Sequence, residues 1–343
     1  MTDRIPITIL TGFLGSGKTS LLNLLLRRPE FSDSAVVVNE FGEIGVDHLL
    51  VGSSKEKIVL LDAGCLCCGM LDSLKETLAD LYHRRARGDV PLFRRVLIET
   101  SGLADPGPIL RAILRDDFIA HFFALAGLVC VVDAVFGEKE LDAHPEARAQ
   151  LALADRIVVT KTDLTGGRCP ILLADRIRRF NPYGPVQSAP EGLDIPALLG
   201  ENGVRGAAPA WLEPAGFGGH DHAHHGEPHH GEDVATCSFW LDRPVTWSGI
   251  AAWTAVMGRR YGPDLLRCKG IMAVEQGNGP VVLHGVRAMF DTLKLAAWPT
   301  DDHRSRLVCI GIGIDREVIA ASLPWLNAPR GTQPPGEHDA VPA

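Results

Sequence analysis

The chain has 343 residues, a formal net charge of −8, 46% hydrophobic residues and 22% charged residues. That length predicts two domains, and the composition excludes wholesale disorder, collagen and coiled coil. The acidic balance argues against nucleic acid as the main partner, and the longest apolar run, residues 122–132, stops at Asp133, too short to cross a membrane.

In chain order, Ile5 to Leu10 reads as a strand, followed by a glycine turn and an amphipathic helix from Lys18 to Arg28. Short apolar runs follow at Ala35 to Val38, Ile58 to Leu61, Arg95 to Glu99, Leu128 to Val132 and Arg156 to Thr160. Near-continuous runs of this kind mark strands buried on both faces. Helical stretches stand between several of them, such as Met70 to Arg87 and Pro106 to Phe118. The alternation predicts an α/β fold with a doubly wound, mostly parallel sheet. Periodicity fades near residue 190, and residues 191–234, rich in Gly, Pro, Ala and His, read as a linker. Ala235 to Leu241, Leu266 to Glu275, Val281 to Val286 and Ser305 to Ile314 then read as strands. Trp247 to Arg260 reads as a helix, and Asp315 to Leu323 as a closing helix. The expected organisation is a nucleotide-binding domain over 1–190, the linker, a smaller α+β domain over 235–326 and a frayed tail over 327–343.

Gly12-Phe-Leu-Gly-Ser-Gly-Lys18-Thr19 fits the phosphate-loop pattern G-x-x-x-x-G-K-[ST], with a strand before it and a helix after it. Glycines let backbone N–H groups converge on phosphate oxygens, and the helix N-terminus adds positive potential. Gly12, Gly15, Ser16, Gly17, Lys18, Thr19 and Ser20 are therefore the expected nucleotide contacts. Lys18 would reach the β- and γ-phosphates, and the Thr19 hydroxyl would ligate Mg²⁺. Glu99 ends a buried run and is the expected second Mg²⁺ group, one methylene longer than the Asp of many phosphate-loop proteins. Gly102, three residues on, would offer its N–H to the γ-phosphate. Thr160-Lys161-Thr162-Asp163 follows another buried run and resembles the N/T-K-x-D loop that reads guanine. An Asp there accepts from two guanine donors that adenine lacks, so Thr160, Lys161 and Asp163 point to GTP.

Three of the eight cysteines crowd into Cys65-Leu66-Cys67-Cys68. Residues i and i+2 of an extended segment face one way, so Cys65 and Cys67 could chelate one ion, with Cys68 joining at a turn. Thiolates suit Zn²⁺, Co²⁺ and Cu⁺. Half of a structural site completed from afar, or a redox thiol group, remain alternatives. The first residues, Met1 to Leu10, are too short and too acidic for a signal peptide, so reduced thiols and a cytoplasmic location are expected. The other cysteines, Cys130, Cys169, Cys237, Cys268 and Cys309, are scattered and read as core. Six of the thirteen histidines fall within residues 220–230: His220, His222, His224, His225, His229 and His230. In a flexible linker they suit an auxiliary metal reservoir, the alternative being a solvated linker without a metal role.

The order of these segments, with Asn39-Glu-Phe-Gly-Glu43 between them and Leu266 to Ile271, His284 to Arg287 and Arg304 to Val308 near the end, resembles CobW-type GTPases. The resemblance implies GTP hydrolysis coupled to delivery of Zn²⁺ or Co²⁺ to a client metalloprotein, with a homodimer as a further option. It also implies that residues 39–47 form the first switch, with Glu40, Glu43 or Asp47 near Mg²⁺ or the cargo ion. The competing readings are a cobalt-specific activator of nitrile hydratase or of the cobalamin pathway, a phosphate-loop kinase acting on a small molecule, and a non-catalytic metal buffer.

Overall fold

The computed structural model describes residues 4–38, 59–62, 70–195, 198, 234–275, 277, 279–298 and 301–327. The chain divides into two compact units, Met1–Arg178 with Gly184–Arg205, and Arg179–Tyr183 with Gly206–Ala343.

The first unit is built on a seven-stranded parallel sheet. Its strands are β1 (Ile5–Thr11), β2 (Ser34–Val38), β3 (Val59–Asp62), β4 (Arg95–Glu99), β5 (Phe123–Asp133), β6 (Arg156–Thr160) and β7 (Val186–Ser188). They lie in the order β3-β2-β4-β1-β5-β6-β7. All five residues of β2 and six of the seven in β1 are buried, as expected of strands covered on both faces. Helix α1 (Lys18–Leu26) buries Lys18, Leu21, Leu22, Leu25 and Leu26, a stripe at helical spacing that packs with Leu10, Val36 and Val129. Further helices are α2 (Met70–Arg87), α3 (Gly107–Arg115), α4 (Asp117–Phe122), α5 (Gly137–Ala143), α6 (Pro145–Leu153) and α7 (Ile171–Phe180).

In this unit β7 was not expected, and two expected elements differ. The single helix from Pro106 to Phe118 is two helices, because Asp116 is extended (φ −76°, ψ 124°) and its carboxylate accepts from Ile119 N, capping α4. The strand expected from Leu128 begins at Phe123, since residues 123–127 also pair with β1 through a register shift opposite Ile7 and Thr8.

The second unit carries a five-stranded antiparallel sheet of β8 (Val234–Leu241), β9 (Arg267–Met272), β10 (Val281–Val286), β11 (Met289–Lys294) and β12 (Ser305–Ile312), in the order β11-β10-β9-β12-β8. The β11 strand was not expected, because residues 291–294 are exposed and carry little apolar pattern. Helices α8 (Trp247–Arg260) and α9 (Arg316–Ser322) cover the apolar face. Trp253 is fully buried at its centre, and its indole N–H donates to Ser322 Oγ at 2.8 Å.

Candidate functional site

The C-terminal ends of β4, β1, β5 and β6 stand side by side, so the loops leaving them share one edge of the sheet. The phosphate loop leaves β1. Gly12 has φ 142°, and a Cβ there would lie 2.2 Å from the Val131 carbonyl oxygen of β5. Only glycine allows that approach. Gly17 caps α1 in the left-handed conformation (φ 91°, ψ 24°), with no acidic residue in the helix's first turn. Gly17 has no side chain to cap the helix, and the N-terminus of α1 directs positive potential along the loop. The Lys18 ammonium lies within the loop and donates to the carbonyls of Gly12 (3.0 Å) and Phe13 (3.1 Å). The Ser16 hydroxyl is buried and bonds no described group, while Gly15 and Ser20 are exposed.

On the β4 side, Thr19 Oγ1 donates to Glu99 Oε1 at 2.6 Å. Glu99 is 3% exposed, and the next residue, Thr100, donates its N–H to Leu10 O at 2.9 Å. A hydroxyl and a carboxylate at the head of a phosphate cradle are the hard oxygen donors that Mg²⁺ takes, so the residues fit that ion. Gly102 follows so closely that a Cβ there would lie 2.5 Å from Leu14 Cα of the phosphate loop. The buried Gln150 of α6 donates to the carbonyls of Gly102 (3.1 Å) and Ala104 (2.9 Å), pinning this segment from behind.

On the β6 side, Thr160 Oγ1 donates to Ser16 O at 2.6 Å, with Val132 O at 3.3 Å beside it. Lys161 is left-handed (φ 56°), and its ammonium donates to Gly15 O at 2.9 Å and to Asp133 Oδ2 at 2.5 Å. Asp163 is exposed in the short turn that follows, and its carboxylate bonds no described residue. Lys18, Thr19, Glu99, Gly102, Thr160 and Lys161 are thus gathered around one loop.

Sequence reasoning missed Asp133, Glu140, His144 and Gln150. The His144 ring stacks on Phe13 of the phosphate loop, centroids 4.4 Å apart. Burial first, then the Asp133 charge, pushes the Glu140 carboxyl above its ordinary value, against the pull of Lys161 and Lys18. Asp133 left one signal, a carboxylate closing a long apolar run.

Cys65, Cys67, Cys68, Glu40, Glu43, Asp47 and the histidines at 220, 222, 224, 225, 229 and 230 lie outside the described residues. Among the described residues, no three His, Cys, Asp or Glu side chains gather as a metal site. Cys237, Cys309 and Cys268 stand directly opposite one another on β8, β12 and β9, all buried in the apolar core of the second unit. Burial pushes the Cys130 thiol up to about 12 and Cys237 to about 11, which keeps both protonated and unreactive. Among the described residues, no helix is long and apolar enough to cross a membrane.

The CobW/HypB/UreG nucleotide-binding domain matches residues 6–187, and the cobalamin synthesis protein cobW C-terminal domain matches residues 234–324. The chain belongs to the CobW family. Its relatives within the family match almost from end to end. The zinc chaperone YjiA of Escherichia coli (strain K12) is 31% identical over 326 residues, covering 95% of this chain and 99% of that one. The zinc chaperone CobW of Pseudomonas aeruginosa is 32% identical over 355 residues, covering 93% and 91%. Among solved structures, the Zn(II)-bound YjiA GTPase from E. coli has a TM-score of 0.70 at 27% identity, covering 95% of this chain and 100% of that chain. A variant of that GTPase with one glutamate and two cysteines changed to alanine is also Zn(II)-bound, at a TM-score of 0.68.

Proposed function

We propose that this chain is a GTP-hydrolysing metallochaperone, which holds Zn²⁺, with Co²⁺ the rival ion, on Cys65, Cys67 and Cys68 and passes it to a client metalloprotein. The observation that carries this reading is the match along 95% of the chain to a relative named a zinc chaperone. The geometry at the sheet edge supports it, because the phosphate loop, the Thr19–Glu99 pair, Gly102 and the Lys161 loop come together there.

In this reading, the glycine loop and the N-terminus of α1 take the phosphates of GTP. Lys18 leaves the Gly12 and Phe13 carbonyls to pair with the β- and γ-phosphate oxygens. Thr19 and Glu99 hold Mg²⁺, which when bound neutralises charge on those oxygens. The Gly102 N–H faces the γ-phosphate and registers its presence. Asp163 reads the guanine edge, and Thr160 and Lys161 hold that reader against the phosphate loop. The thiols follow β3 in the sequence, and in this reading ordering of the first switch brings thiolates and Glu40, Glu43 or Asp47 toward one ion. Hydrolysis removes the γ-phosphate contacts, and the ion leaves for a client with better-placed ligands. Free thiolates require reducing conditions, which fits the cytoplasm.

The histidines at 220–230 act as an auxiliary store.

GTP and metal bind with positive cooperativity under this scheme. A 100-fold gain in metal affinity corresponds to about 2.7 kcal/mol of coupling, within the usual range. The experiment is a competitive titration of Zn²⁺, Co²⁺ and Ni²⁺ with and without a non-hydrolysable GTP analogue. Equal dissociation constants in the two states would defeat the proposal.

A further inference from the structure

We propose that Asp133 is a positioning residue of the nucleotide site, whose carboxylate holds the Lys161 ammonium on the phosphate loop and so fixes the base-reading loop to it. The inference rests on the reading of residues 160–163 as that loop.

Strand β5 lies between β1 and β6, so its last residue stands between the loop after β1 and the loop after β6. Asp133 is that residue, and it is 1% exposed. Its Oδ1 accepts from the N–H groups of Val135 (2.7 Å) and Phe136 (3.2 Å), which closes the turn after β5 and fixes the direction of the carboxylate. Its Oδ2 is left facing β6, where Lys161 Nζ donates to it at 2.5 Å. The same ammonium donates to Gly15 O at 2.9 Å, so one cation spans the end of β5 and the phosphate loop.

Removing Lys161 leaves the buried Asp133 charge uncompensated, and removing the Asp133 charge frees the half-buried ammonium to leave the phosphate loop for solvent. Lys161 also has φ 56°, a conformation that a residue with a Cβ adopts only when its surroundings enforce it. The Asp133 and Gly15 bonds supply that enforcement from the side-chain end, and Thr160, bonded to Ser16 O, supplies it from the preceding residue. The distance from Asp163 to the phosphate cradle is therefore set before a nucleotide arrives, which lowers the ordering cost of binding. Neither sequence motif contains Asp133, yet both depend on it.

Asp133→Asn keeps the shape and the Oδ1 acceptor and removes the charge that holds the ammonium. The full chain is compared as wild type, Asp133→Asn, Lys161→Met and the double variant, by GDP and GTP titration and by steady-state hydrolysis. Asp133→Asn is expected to weaken GDP about tenfold and to raise KM for GTP by a similar factor, the scale of one charge-assisted hydrogen bond. The value of kcat at saturating GTP is expected to fall by less than about threefold, because the interaction is the same in the ground and transition states. The double variant is expected to be no weaker than Lys161→Met alone, which shows that Asp133 acts on nucleotide binding through Lys161, and the KM-against-kcat split separates this from a general loss of structure. GDP affinity within about twofold of wild type in folded Asp133→Asn, or losses that add in the double variant, overturns the proposal. Where Asp133→Asn does not fold, Lys161→Met carries the test, and wild-type GDP affinity in it overturns the proposal equally. A wild-type chain that binds neither GDP nor GTP defeats the GTPase reading instead, so the two failures are distinct.

Discussion

Thr19 and Glu99 meet at 2.6 Å although eighty residues separate them. Each was legible in the sequence for its own reason, the first as the last position of a phosphate loop and the second as a carboxylate ending a buried strand. That both would serve one Mg²⁺ was expected, and the order that sets β4 directly beside β1 brings them into direct contact. If this pair holds Mg²⁺, Glu99→Gln lowers kcat by about 100-fold, the usual loss when one preorganised charge-stabilising group is removed. Hydrolysis rates across a Mg²⁺ series check this, and a Glu99→Gln protein with full turnover at low Mg²⁺ would sink the assignment. Asp133 marks the limit of residue-level reading: it looks like a stop to an apolar run until Lys161 is seen 2.5 Å away.

The elements follow from periodicity where burial is two-sided and blur where it is not. Strands β1, β2, β4 and β6 read directly as apolar runs because helices cover both faces of their sheet. Strand β11 was missed because four of its six residues are exposed, so pairing with β10 rather than an apolar pattern sets most of its conformation. The break between α3 and α4 turns on one side chain, since the Asp116 carboxylate is more useful capping α4 than inside a continuous helix. In the second unit, α8 is anchored by Trp253, which is fully buried and packs edge-on to Phe290 with centroids 6.1 Å apart. Trp253→Ala is expected to cost about 3–5 kcal/mol, a large share of the stability of a unit this small. Denaturant unfolding followed by tryptophan fluorescence and circular dichroism measures it, and a loss under about 1 kcal/mol would show that α8 is held elsewhere.

At the scale of the whole molecule, two units with different sheet types match the two domains of one family, in the same order. The parallel unit supplies a nucleotide site at a strand edge. The antiparallel unit contributes a closed apolar core whose three aligned thiols, Cys237, Cys309 and Cys268, are buried. Under the proposed function, cargo handling falls to the thiols after β3 and to the histidine-rich segment. Deleting residues 220–230 is expected to lower the number of Zn²⁺ ions bound per chain and to leave GTP turnover unchanged. Metal analysis after dialysis, run beside a phosphate-release assay, checks both halves. Unchanged stoichiometry would return the segment to a plain linker.

The sequence by itself determined the contiguous motifs, whose roles belong to the proposed function: the glycine loop with Lys18 and Thr19, the loop from Thr160 to Asp163, and the crowded thiols. Such groups can be read in one dimension because a phosphate or a metal ion is small enough to be gripped by neighbours on a single loop. Only the tertiary structure decided that Glu99 touches Thr19 directly and that Asp133 holds Lys161. Those partnerships come from the order β4-β1-β5-β6, and strand order is fixed by how α1 and the sheet bury their apolar faces together, which no local stretch of residues encodes.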